Sequence, residues 1–205
     1  MPAAIPLPDE KAVFLNVPFD TSYEPLFLAA IAALISIGRV PRCVLEIPDS
    51  GQGRLRRIMG LIETCRVSLH DLSRVGGPAR FNMPFELGLA YSLRLHRPGP
   101  RRHLVVLLEA QHHRLGRTLS DLAGHDPGIH GGRARGMVSA VLDNLGTPAA
   151  GPYPDQVYLI WRRLMRVARE LRRRDHARTL FSRGVFLRTV AAATELAADA
   201  GLIQR

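Results

Sequence analysis

Cysteine is almost missing from this chain of 205 residues: only Cys43 and Cys65 occur. Neither pair spacing nor neighbouring ligands suggest a zinc site, and each lies in or beside a segment read as core, so both are expected as buried free thiols. Lysine is scarcer still. Lys11 is the single lysine among 28 basic residues, so the net charge of +10 is carried by arginine. Such a skew follows from GC-rich coding as readily as from phosphate contacts, and charge alone argues only weakly for an anionic partner. No apolar stretch reaches membrane-spanning length, and the opening Met-Pro-Ala-Ala-Ile-Pro-Leu-Pro lacks the basic segment and long apolar run of a leader. A cytoplasmic protein without membrane contact is the expectation. The neighbours His112 and His113 fall in an expected loop with no Cys or carboxylate at ligand spacing, so neither a metal nor a required cofactor is expected.

What is there is apolar sequence in short, regular pieces. With 46% hydrophobic residues the chain can build one substantial core. Residues 12–18 carry Val13, Phe14, Leu15 and Val17 and read as a buried strand; residues 23–38 read as a helix stopped at Gly38. Residues 42–47 read as the second strand, followed by a polar loop over 49–53 and a helix over 54–64. The third strand is expected over 66–72, a helix from Pro84, and the fourth strand over 103–108. A fifth short strand is expected within 111–135, and Met137, Val138, Val141 and Leu142 have helical spacing within 136–145. Alternation of this kind predicts an α/β fold, a doubly wound, mostly parallel flavodoxin-like sheet with helices on both faces.

A stretch rich in Gly and Pro over 146–152 marks the expected boundary between an α/β domain, 1–146, and a basic C-terminal helical extension, 152–205. In that extension Val157, Ile160, Leu164, Val167 and Leu171 form an apolar stripe. Arg162, Arg163, Arg166, Arg169, Arg172, Arg173 and Arg174 crowd the other faces. A second helix over 182–200 makes a helical hairpin the expectation for the tail.

The segment richest in chemistry runs from Arg80 to Ala90, following a strand that ends His70-Asp71-Leu72-Ser73. Pro84 suits a first helical turn, with Asn82 or Met83 capping and Glu86 inside that turn. Phe85, Leu89 and Leu93 share one face, and Gly88 permits close packing on a strand. Ligands of open α/β sheets bind beyond the carboxyl ends of the strands, where Asp71 and Glu86 both fall. The plainer accounts are a capping carboxylate for Glu86 and a local turn acceptor for Asp71. Asn16 and Asp20, beyond the first strand, are candidates to bind a sugar or base, and turn chemistry explains them equally. Phe19 is a candidate to stack on a base or to pack the loop. Arg54 and Arg57, on the helix after the glycine-containing loop, are candidates to meet a diphosphate, and Arg74 and Arg80 lie close in sequence to the two acids; solvated surface is the plainer account of all four. Asp121, Gly124, Asp126 and His130 are candidates for a lid or for a contact with an adjacent subunit, and an ordinary hydrogen-bonded turn region explains them equally. His70 precedes Asp71 and so points to the opposite face of the strand, a structural histidine.

Phe14-Leu15-Asn16-Val17-Pro18-Phe19-Asp20, His70-Asp71-Leu72-Ser73 and Phe85-Glu86-Leu87-Gly88-Leu89-Ala90 together resemble the nucleoside 2-deoxyribosyltransferase-like proteins and, more distantly, bacterial TIR-like domains. The resemblance covers about residues 12–145. It implies Glu86 as nucleophile, on a helix matched at Gly88 and Ala90, with Asp71 contacting the base or sugar. Where the transferases carry a further aspartate, this chain has Arg80, Phe81 and Asn82. The implied chemistry is cleavage of the N-glycosidic bond of NAD, a nucleoside or a nucleotide. In it Glu86 and Asp71 are catalytic and Asn16, Phe19, Asp20, Asn82 and Gly88 are substrate-binding. A homo-oligomer is implied as well, and a role in bacterial defence or signalling. The competing readings are a non-catalytic nucleotide sensor and, less favoured, a nucleic-acid binder using the arginine-rich tail.

Overall fold

The computed structural model describes residues 8–48, 51, 53–74, 81–96, 99, 102–147 and 150–204. Arg80, named above, lies outside them, as do positions 49, 50 and 52 of the expected polar loop and 148 and 149 of the expected boundary. Five parallel strands, β1 (Asp9–Asn16), β2 (Val40–Arg42), β3 (Cys65–Asp71), β4 (Leu104–Glu109) and β5 (Gly128–Ile129), lie in the order β2-β1-β3-β4-β5. This is the doubly wound arrangement, whose order reverses between β1 and β3. Residues 43–47, expected as strand, leave the sheet after Arg42 and form a 3-10 turn over Val44–Glu46.

Alternation along the strands sorts the core into two faces. Val13 and Leu15 of β1, Val17 just past its end, and Val67 and Leu69 of β3 pack with α1 (Glu24–Ser36). Ala12 and Phe14 turn to the face of α2 (Arg54–Thr64) and α3 (Asn82–His96). The register sets Asn16 beside His70 and Asp71 beside Leu108, so the ends of β1, β3 and β4 form one edge.

On the α1 side, after the short α4 (Arg114–Thr118), α5 (Ala134–Leu145) packs beside α1; α6 (Pro154–Arg174) packs on both, and α7 (Arg183–Asp199) on α1 and α6. Helix α1 is buried on every side from Leu26 to Ser36, as a helix apolar all round must be. Val157, Ile160, Leu164, Val185, Phe186 and Ala193 of the tail belong to the same core as α1 and the sheet. Phe27 lies against both Phe181 (centroids 5.3 Å apart) and Phe186 (5.9 Å). Glu24 fixes the tail in addition, accepting from the Leu180 N–H (2.9 Å) and pairing with Arg172 (3.3 Å). Among the described residues no helix is long and apolar enough to cross a membrane.

Candidate functional site

Helix α3 begins at Asn82, two residues ahead of Pro84, which puts Glu86 past the first turn rather than in a capping position. Its buried residues are Met83, Glu86, Leu87 and Ala90; of the Phe85, Leu89 and Leu93 face that apolar spacing suggested, Leu89 and Leu93 pack half-buried on the α2 side while Phe85 turns outward. Phe85 is 55% exposed, whereas the glutamate beside it is 5% exposed. Gly88 faces outward, with nothing within 4 Å of where a Cβ would stand, so it makes no close approach to a strand.

Glu86 lines a narrow cavity with Phe14, Asn16, Phe19, Arg54 and Asn82, just beyond the end of β1 where the strand order reverses. Burial pushes its carboxyl above the usual range; a hydrogen bond from Asn82 and the charge of Arg54 pull the other way without cancelling it. The enclosed space, about 30 Å³, holds roughly one water. Phe19 forms part of the wall and also packs on Phe181 (5.1 Å) and Phe27 (6.4 Å), tying the cavity to the tail. Arg183 Nε donates to the Glu46 carbonyl (2.8 Å), which holds the start of α7 beside the same end of the sheet.

Asp71 is fully buried on the other face of the sheet. One carboxylate oxygen accepts from the Ser73 N–H (2.8 Å), the turn contact expected of a structural aspartate. The other accepts from the Tyr23 hydroxyl, and His130 Nε2 lies 3.1 Å away, off the line of a hydrogen bond. The Gly132 N–H donates to His130 Nδ1 (3.0 Å), so the imidazole proton sits on Nε2, toward Asp71. Burial, then the charge of Asp71, raises the Tyr23 phenol well above its ordinary value and keeps it a donor. His130 is therefore buried at the foot of α5 and is no part of a lid, while Asp121, Gly124 and Asp126 are exposed. Asp20 pairs with Arg74 (3.3 Å) at the edge. The fold thus gathers Asn16, Phe19, Asn82 and Glu86 and leaves Asp71, Asp20 and Gly88 outside their cavity.

Two groups of partners had no local signal in the sequence. Tyr23 and His130 meet Asp71 only because the chain on either side of the sheet returns to one edge. Glu109, fully buried at the end of β4, is held by Arg114, which also donates to the Ser73 carbonyl. Among the described residues no group of three or more His, Cys, Asp or Glu side chains is placed to hold a metal ion. Cys43 and Cys65 are buried free thiols, and burial pushes Cys65 up to about 12. Comparison with known protein families, curated proteins and solved structures finds no match to this chain.

Proposed function

We propose that this protein cleaves the N-glycosidic bond of NAD or a related nucleoside or nucleotide, with Glu86 acting at the anomeric carbon. The observation that carries the reading is a buried carboxylate, turned inward from a helix into the cavity at the reversal point of a parallel sheet. It agrees with the resemblance to deoxyribosyltransferase-like and TIR-like proteins drawn above.

In the reaction the bond from C1′ to the ring nitrogen breaks and its electron pair leaves with the base. Positive charge grows on C1′, where ionised Glu86 stabilises it or closes a covalent ester; water then adds, and its proton is released. Among the described residues lining the cavity, Glu86 is the only carboxylate, and Asp71 lies behind the sheet. A single acid among the described lining residues suits a base that departs without being protonated. Nicotinamide does so from NAD, because its ring nitrogen is already quaternary. NAD is therefore the first substrate to test.

The test is chromatographic detection of nicotinamide after incubation with NAD, beside a panel of nucleosides. The wild type is expected to release it, and Glu86→Gln to lower the rate by about a thousandfold or more. Release unchanged in Glu86→Gln removes Glu86 from the chemistry. Binding without release by the wild type moves the protein to the sensor reading. Light scattering on the same samples reads whether copies associate.

A further inference from the structure

Beneath the cavity, on the α2/α3 side of the sheet, four buried side chains form a continuous hydrogen-bonded chain: Asn16, His70, Ser68 and His103. Their proton positions follow from the two backbone carbonyls at its ends. Met83 O, 3.1 Å from the Asn16 amide, accepts only, so the atom facing it is Nδ2. The second hydrogen of Nδ2 points to His70 Nδ1 (2.9 Å), which must accept, so His70 carries its proton on Nε2 and donates to Ser68 Oγ (2.8 Å). From the other end, Cys65 O (3.1 Å) demands a proton on His103 Nδ1, which leaves His103 Nε2 to accept from the Ser68 hydroxyl (2.8 Å). The two derivations meet at Ser68 without conflict. Burial, reinforced by the nearby His103, pushes His70 down to about 3, in keeping with a neutral ring.

With both amide hydrogens engaged below, Asn16 can offer the cavity only its carbonyl oxygen. The neighbours of C1′ in a nucleoside are the ring oxygen, which accepts, and the 2′-hydroxyl, which donates. Resting on the reading of Glu86 given above, we propose that Ser68, His70 and His103 are positioning residues that lock Asn16 as an acceptor for the ribose 2′-hydroxyl. The site thereby prefers ribosides to 2′-deoxyribosides. A freely rotating amide would satisfy either neighbour and discriminate little; a locked one rejects the analogue that cannot donate.

The test is equilibrium binding of nicotinamide riboside and its 2′-deoxy counterpart in the Glu86→Gln background, where turnover is removed. The riboside is expected to bind about tenfold more tightly or better. Adding His70→Leu removes the acceptor for Nδ2 and is expected to bring the two ligands within about twofold, whereas His70→Asn, whose Oδ1 can stand where Nδ1 stood, restores the preference. No preference in the parent, no binding of either ligand, or a preference that survives His70→Leu overturns the proposal. Long-range ¹⁵N–¹H correlation spectra of the unmodified protein test the relay without any variant: His70 is expected as the Nε2–H tautomer and His103 as Nδ1–H, and the opposite tautomer in either sinks it. Nicotinamide release from NAD reports separately on Glu86. Preference without release keeps the relay and removes the chemistry; release with a preference indifferent to His70 does the reverse.

Discussion

Glu86 places a charge where burial opposes it, and that has consequences of definite sign. Its folded-state pKa is raised, so the native state holds the proton more tightly than the unfolded chain. The stability this contributes is complete below the ordinary carboxylate range and is lost as pH rises through the raised value. Glu86→Gln is therefore expected to raise Tm by a few degrees at pH 7 and to match the wild type near about pH 4. Thermal unfolding at the two pH values reads this, and a variant destabilised equally at both would mean that the carboxylate serves the fold. Activity that needs the ionised form is expected to fall on the acid side at a pH above that of an ordinary glutamate, read from the acid limb of kcat/KM. At this scale the sequence was half legible. Strand alternation alone separates His70 from Asp71, because period two is a local property. That Tyr23 donates to Asp71 across 48 residues, or Asn16 to His70 across 54, depends on sheet register and leaves no trace in local pattern.

Element by element, strands and helices were readable where their periodicity was plain, as in α2, whose ends at Arg54 and Thr64 coincide with the expected ones. The phase of α3 was readable at Leu89 and Leu93, which pack on the α2 side, but not in its first turns. Apolar spacing puts Phe85 inside, yet the helix exposes Phe81 and Phe85 and buries Glu86, an inversion of the ordinary pattern of the kind that functional sites impose. The second strand was misplaced because Cys43 and Val44 are buried in a turn rather than in the sheet, and burial, not strand pairing, is what an apolar run records. Helix α5 owes its seat to a contact no pattern announces. A Cβ on Gly136 would stand 2.2 Å from the His130 carbonyl oxygen, so only glycine lets the helix start that close. Gly136→Ala is expected to cost about 1–3 kcal/mol and to displace His130 from Asp71. Chemical denaturation measures the first and the His130 ring resonances the second; an alanine variant as stable as wild type would mean that the helix start shifts freely.

Taken whole, the molecule has α1 enclosed between the sheet and the tail, so α6 and α7 cover a helix with no polar face to show to water. The composition break at 146–152 was visible in the sequence, but nothing there reveals that both sides share a core, because an apolar stripe does not name its partner. Ending the chain at Leu145 uncovers α1 and is expected to abolish cooperative unfolding, read by circular dichroism during a urea titration; a truncated protein with a sharp transition would show that the α/β part stands alone. Single replacements along the tail stripe, such as Leu164→Ala, are expected to cost about 2–5 kcal/mol. The arginine-rich face of α6 stays outside this core. The nearly complete substitution of arginine for lysine has a practical side. Lys11, the only side-chain amine, lies exposed near the start of β1, while Asn16 ends the same strand at the cavity. Five residues of strand separate them by about 17 Å. Amine-directed coupling to a sensor surface at that lysine tethers the protein by the end of the sheet away from Glu86, presenting the cavity to the flowing solution.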